Sequence, residues 1–313
     1  MFRFILNRLV MGILTLFVAA VVSFIIVHLM PGSPGETALG TSGDPASIKA
    51  FNDEIGWNNP WIVQFIDWVR MLLSGSLGVS YVDNRDLSIE IMTRIQVTAY
   101  LSLAAIILTA ILGVVVGVTA AVRGGIIDRI LNSITAFFIA VPAFWFAIFL
   151  ILMFAVFNPL LPASGYVEFS DDPVAWASSL LLPVFALAVH GAAGIARITR
   201  SAMLEAVAQE HIRTLRAMGV PRQRIVYLHA LRFASVQIVS VIGLQFVLTF
   251  GGTVTVEQLF QLPGLGTGIQ RAIGMHDVPA IQATVMVTTF VVVITMFLTE
   301  LATRFLDPKV RAR

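Results

Sequence analysis

The sequence predicts an all-α protein that crosses a membrane six times, and three observations carry the prediction. Charged residues make up only 12% of the 313 positions, against about a quarter in a soluble domain, and the mean hydropathy is +0.89. Six windows contain no Asp, Glu, Lys or Arg: Leu9–Gly35, Ile95–Val122, Ile130–Val167, Pro173–Ala196, Phe233–Val256 and Val278–Thr299. Each is longer than the roughly 20 apolar residues that cross a hydrocarbon core. The basic residues also partition. With the N-terminus inside, the inner segments hold Arg3, Arg8, Arg123, Arg129, the arginines between Arg197 and Arg232, Arg304, Lys309, Arg311 and Arg313. Only Lys49, Arg70, Arg85, Arg94 and Arg271 remain outside. The excess of inner Lys and Arg predicts that both termini are cytoplasmic.

The first span, residues 1–30, follows a basic flank, but its apolar run is too long for a secretory signal, and "PGSPGE" has no small-x-small cleavage pattern. An uncleaved helix is expected. Residues 31–94 form an outer segment too long for a plain loop, so a small folded element is expected there. Within it "NPWIVQFIDWVRMLLSG" reads as a helix. Pro60 suits its first turn, and Trp61, Phe65, Trp68, Met71 and Leu72 recur at spacings of three and four. It is either an aromatic helix lying in the membrane interface or a surface for a partner.

Residues 95–307 hold the remaining five spans. The second contains Gly113 and Gly117 four apart, which lets two helix backbones approach. The third contains Pro142, which removes a helix hydrogen bond and predicts a kink. Pro142, Phe144 and Trp145, with Gln245 in the fifth span, are candidates for a translocation path by position alone. Between spans four and five, residues 201–232 read as a helix from Ser201 to Met218, a stop at Gly219, and a second helix opened by Pro221. The first helix would align Leu204, Ala208, His211, Ile212, Leu215 and Met218 on one stripe. After the fifth span, Gly251 to Ala280 shows no clear periodicity and reads as an irregular outer connection. A tail, 308–313, closes the chain.

The usual catalytic constellations are missing. Lys49 and Lys309 are the only lysines, and neither follows a phosphate-binding glycine loop. The histidines are scattered, cysteine is absent, and no G-x-S-x-G elbow occurs. Neither a cofactor nor a metal site is expected in this chain. The net charge of +2 restates the topology rather than pointing to nucleic acid. Ion-coupled carriers place ionisable groups within their spans, and here only His190 lies well inside a window. The chain reads as a membrane conduit driven by energy from elsewhere. An ion-coupled carrier with His190 as its sensitive group is one rival, and a scaffold without transport is another. The basic projection at 201–232 is either where a motor protein pushes or a helix resting on anionic lipid.

"EAVAQEHIRTLRAMGVPRQRI" resembles the EAA loop of bacterial ABC-importer permeases, with Glu205, Ala206, Gly219 and Ile225 at the motif positions. Two further stretches are similar to the B-type subunit of the dipeptide/oligopeptide/nickel permeases. One is the first span with "PGSP" and the later "NPWIVQFIDWVRMLLSGSLGVS". The other is "GGTVTVEQLFQLPGLGTGIQRAIGMHDVPA", through Glu257, Phe260, Pro263, Gly264, Leu265, Gly266, Asp277 and Pro279. Ser33 and Ser76 stand where the family has Asp, and "LRFASVQ" lacks the family's proline.

The resemblance implies a type I importer permease fold with cytoplasmic coupling helices, in a bacterial inner membrane. It implies a homologous C-type permease, two ABC ATPase subunits that bind ATP and Mg, and a solute-binding protein that delivers a peptide-like substrate. The chain itself would not be catalytic. In this reading Glu205 and Ala206 open the coupling element and Gly219 permits its turn, while Arg213, Arg216, Arg222 and Arg224 meet an acidic surface.

Overall fold

The protein is described here by a computed structural model covering residues 2–40 and 44–306. The tail at 308–313, with Lys309, Arg311 and Arg313, lies outside the described residues. Helices α1 (Phe2–Leu29), α2 (Pro34–Leu39), α3 (Pro45–Glu54) and α4 (Trp61–Leu73) are followed by the long α5 (Leu87–Arg123). Next come α6 (Gly125–Ala140), α7 (Ala143–Ile151), α8 (Pro173–Ala208), α9 (Glu210–Ala217) and α10 (Arg222–Arg224). The chain finishes with α11 (Leu231–Phe260), α12 (Leu265–Gly274) and α13 (Val278–Leu306). Wider π turns continue α7 at Leu152–Phe157 and lead into α11 at Ile225–Ala230.

Five of these helices are long and apolar enough to cross a bilayer unbroken, and α6 with α7 and the π turns after it meets the same test only as a pair bent by 95°, either a broken sixth span or a re-entrant loop. The predicted kink at Pro142 is therefore a complete break. Val141 and Pro142 adopt extended backbone, with ψ of 120° and 140°, and Pro142 caps α7. A proline lacks the N–H that would continue the ladder and pushes the preceding residue out of the helical region. The helix α5 starts at Leu87, two turns ahead of the apolar window, and α8 has 36 residues. At 1.5 Å per residue α8 is about 54 Å long, well beyond the roughly 30 Å hydrocarbon core.

The chain forms two compact units, one of Met1–Val97 with Pro263–Ile294, the other of Thr98–Leu262 with Thr295–Arg313. In the first unit α4 uses the predicted aromatic stripe. Trp68 is buried with Ala20 and Phe24 of α1, and Phe65, Met71 and Leu72 pack around them. Phe24 meets Phe65 edge-on at 5.3 Å. Trp61, by contrast, is half exposed. His28 stacks on Trp57 at 4.5 Å, with its ring nitrogens at Phe24 O (2.8 Å) and Gln64 Oε1 (3.0 Å). Ser33 caps α2 in a reciprocal box with Glu36, so the serine that replaces the family's Asp still performs an N-cap function.

In the second unit α8 is the central element, with α6, α7 and α11 packed on it. The pair Gly113 and Gly117 does bring backbones together. A Cβ at Gly113 would lie 2.7 Å from Ile195 side-chain carbons, and one at Gly117 would lie 2.5 Å from the Ala196 carbonyl oxygen. A side chain at either position would force α5 off α8.

The connection between the fifth and sixth spans is more regular than the sequence suggests. α11 continues to Phe260, and α12 occupies 265–274. The expected irregular loop reduces to two tight turns. Both place a non-glycine residue in the left-handed region, Gln261 at φ 53° and His276 at φ 48°.

Candidate functional site: the 201–232 segment and the D-x-P loop

Residues 201–232 fold as the C-terminal end of α8, the short α9, and the π turns entering α11. The predicted straight helix from Ser201 to Met218 does not occur. Gln209 is extended, at φ −63° and ψ 147°, ending α8 and capping α9. Its carbonyl accepts from the N–H of Ile212 at 3.1 Å and of Arg213 at 3.3 Å.

The break also changes which residues are covered. Leu204, Ala208, His211 and Met218 of the expected stripe are exposed, Leu215 is half-buried, and Ile212 is fully buried. The buried face of the α8 end is instead Ala202, Met203 and Ala206. They share a core with Val118 of α5, Val226 and Ala230 of the π turns, and Ala234 and Ile238 of α11. Burial of Ile212 of α9 against the body offsets the helix hydrogen bonds lost at Gln209.

Ala206 is completely buried, whereas its motif partner Glu205 is exposed. Alanine at 206 is a packing requirement, because a larger side chain would displace the π turns. Gly219 has φ +76° with open space where a Cβ would stand, so glycine is needed for backbone conformation and not for room. Its N–H donates to Arg216 O (3.0 Å) and that of Val220 to Leu215 O (3.1 Å), the paired bonds of a Schellman ending. Arg213, Arg216, Arg222 and Arg224 are all exposed. Arg222 Nη2 donates to the carbonyl of Val122 at the end of α5 at 2.5 Å, which ties the projection to that helix.

A second tie went unseen in the sequence. The Arg200 guanidinium on α8 makes a two-pronged ion pair with Asp128 on α6, both bonds 2.6 Å, and Asn132 Nδ2 donates to the same carboxylate at 2.8 Å. Nothing in the spacing of 128 and 200 foretells the contact, since it depends on how α6 lies along α8.

The residues of the E-x-x-F…P-G-L-G…D-x-P run divide between the two units. In the second unit Glu257 is fully buried and accepts a hydrogen bond from Thr98 Oγ1 at 2.7 Å. In the first, Gly264 opens α12 and its carbonyl accepts from Arg94 Nη1 at 3.3 Å, while Arg94 also pairs with Glu90. Gly266 is buried within α12 and Pro263 is exposed. Asp277 is buried and accepts from Ser80 Oγ at 2.5 Å and the Tyr81 N–H at 3.2 Å.

Burial raises the Asp277 carboxyl above the usual carboxylate range, against those hydrogen bonds. Tyr81 is raised too, by burial and by the nearby Asp277 charge. Asp83 behaves oppositely. The Arg85 guanidinium hydrogen-bonded to it lowers its carboxyl to about 2.

Of the proposed path residues, Phe144 and Trp145 are exposed on α7. Gln245 lies in the seam between α11 and α8, where a Cβ on Gly191 would touch its Nε2 at 3.0 Å. His190 places Nδ1 3.2 Å from the Phe138 carbonyl, within hydrogen-bond reach of a backbone acceptor. No cluster of metal-ligating side chains occurs among the described residues.

Comparison with known proteins agrees with this anatomy. Residues 113–312 match the family described as the binding-protein-dependent transport system inner membrane component, and residues 1–104 match that family's N-terminal region. A Brucella abortus protein provisionally named a peptide transport system permease protein is 35% identical over 308 residues, covering 98% of each chain. The glutathione transport system permease protein GsiC of Salmonella typhimurium is 32% identical over 312 residues, covering 99% of each. Among solved structures, the MetNI methionine ABC transporter in inward-facing form aligns with TM-score 0.58 at 20% identity, over 69% of this chain and 96% of that one. The chain thus has the type I permease fold and is a multi-pass inner-membrane protein. It belongs to the binding-protein-dependent transport system inner membrane component family, as a permease subunit of an ABC importer of the peptide group.

Proposed function

We propose that this chain is the B-type permease of a di- or oligopeptide importer, pairing with a homologous C-type permease to enclose the translocation path. Both termini and the 201–232 projection lie in the cytoplasm, and the 31–94 segment faces outward toward a solute-binding protein that delivers peptide. ATP and Mg are bound and used by two partner ATPase subunits, and this chain has no catalytic role.

The observation that carries the reading is the build of the projection. A helix too long for the bilayer ends in a turn, a short charged helix, and a Schellman ending at Gly219, with Ala206 locked against the start of α11. Such a lever passes displacement at α9 to α8 and α11 without absorbing it. Glu205 opens the lever and Gly219 sets its angle, while Arg213 and Arg224 present positive charge to the ATPase. Closure of the ATPases on ATP would move the lever and rock the permease pair from inward- to outward-facing, and hydrolysis would reset it. The names of the Brucella and Salmonella relatives support a peptide-like cargo.

The test is purification from the host membrane in mild detergent with identification of stoichiometric partners. A second permease and one or two ATPase polypeptides are expected. A chain recovered alone or as a homo-oligomer after mild cross-linking overturns the reading.

A further inference from the structure

Two adjoining cavities lie beside the projection, of about 400 and 450 Å³, and they share Val122, Arg222 and Val226 as a common wall. Arg216 lines the first, while Arg123 and Tyr227 line the second. Among the described residues no Asp or Glu lines either one. Among the described residues none of the three arginines enters an ion pair, and Arg222 spends one N–H on the Val122 carbonyl. Three guanidinium groups without a carboxylate around one concave surface are incomplete, because like charges gathered there repel unless an anion joins them.

Apart from Gln223 and Tyr227 the remainder of the cleft is apolar, lined by Ala121, Val122, Ile127, Val207, Val220, Ile225 and Val226. It lies where α5 ends and the span of α11 begins, and its surroundings leave Ile126 (71%), Tyr227 (63%) and Leu228 (52%) exposed. Apolar and tyrosine side chains left open at the end of two spans suit the boundary between head groups and acyl chains. The ligand must therefore combine an anion, which planar guanidinium groups grip through paired N–H donors, with a hydrocarbon portion to cover Val226 and its neighbours. An acidic side chain of a soluble partner would satisfy the arginines and leave the apolar half bare.

We infer that the cleft formed by Val122, Arg123, Arg216, Arg222, Val226 and Tyr227 is a binding site for an anionic phospholipid. The phosphodiester sits among the arginines and an acyl chain lies along the apolar wall. The bound lipid then bridges the end of α5 and the projection, at the same place where Arg222 ties them directly.

Phosphatidylglycerol is the probe. The assembled transporter is placed in phosphatidylcholine discs with and without phosphatidylglycerol, and retained lipid is read by native mass spectrometry of the released complex. The wild type should keep phosphatidylglycerol and not phosphatidylcholine, and the R123Q/R222Q pair should lower retention about tenfold. Removal of Arg70, exposed on α4, should change nothing. Among the described residues R123Q by itself sacrifices no hydrogen bond, so its smaller loss keeps the test valid if the double variant folds poorly.

Equal retention by wild type and R123Q/R222Q overturns the site. Displacement of the lipid by inorganic phosphate at comparable concentration overturns the lipid in favour of a free anion. Lipid that binds only after the ATPase subunits are stripped away overturns it in favour of a protein contact.

Discussion

Ser80 and Asp277 are 197 positions apart in the chain and 2.5 Å apart in the fold. The serine closes the G-x-S stretch of the first expected outer segment, and the aspartate opens the D-x-P stretch before α13. Two motifs that look independent in the sequence are therefore one structural element, a buried carboxylate holding the 78–87 loop through a hydroxyl and a backbone N–H. The site also receives a left-handed His276 and the Asp277 N–H bonded to Ala272 O at 2.9 Å, which end α12 and aim the carboxylate.

This bond gives a pH dependence of known sign. Asp277 is raised above 3.8 in the fold, so its stabilising contribution is complete below 3.8 and is lost as pH rises through its raised value. Asp83 is lowered from 3.8 to about 2, so its contribution is present above 3.8 and is lost as pH falls through about 2. The two windows lie on opposite sides of 3.8. Asp277→Asn should match or exceed the wild type in melting temperature at neutral pH and should flatten the melting profile above 3.8. Asp277→Ala should cost about 1.5–3 kcal/mol by stranding Ser80 and the Tyr81 N–H. Equal losses in the two variants at neutral pH would show that the charge itself is required.

Gly219 should tolerate substitution according to backbone and not to size. Asn enters the left-handed region readily and should keep most transport. Ala should cost about 1–2 kcal/mol locally. Gly219→Val and Gly219→Pro should abolish peptide uptake and substrate-stimulated ATP hydrolysis in the assembled transporter while membrane insertion is unchanged. Near wild-type uptake by the valine variant would remove the turn from the coupling path.

The α5–α8 seam should reject any added side chain. Gly117→Val places carbons on the Ala196 carbonyl and Thr199, and should destabilise by about 1–3 kcal/mol or prevent assembly. Gly252→Ala, where a Cβ meets nothing within 4 Å, is the control and should melt at or above the wild-type temperature. The comparison is read from the melting of the purified chain in detergent.

The Asp128–Arg200 pair should behave as a unit. Both groups are largely covered, at 19% and 28% side-chain exposure, so removing either leaves an unpaired charge. Asp128→Ala and Arg200→Ala should each lower the melting temperature. The exchange D128R/R200D should recover part of that loss, and a double variant as unstable as the sum of the singles would deny the coupling.

Gln261 ends α11 in the left-handed region without the freedom of glycine. Gln261→Gly should raise stability by up to about 1 kcal/mol, since the exposed side chain contributes little and its Cβ is strained there. A fall in melting temperature would mean that the glutamine side chain holds the turn.

The sequence by itself determined the membrane spans, the helical class and the place of the charged projection. Each rests on composition or on short-range spacing, which water and lipid read residue by residue. Gly219 was legible as a stop because glycine is the ordinary left-handed residue, and the Gly113 and Gly117 pair announced a close approach. Tertiary packing decided the rest. Gln209 breaks a helix with no breaker in sight because Ile212 gains cover on the far side of the break. Gln261 and His276 turn the chain without glycine because the helices on either side fix their direction. Ser80 met Asp277, and Asp128 met Arg200, only once distant segments had been laid side by side. Hydrogen bonds and ion pairs of that kind depend on ångström-scale placement across the whole fold, and no local periodicity encodes it.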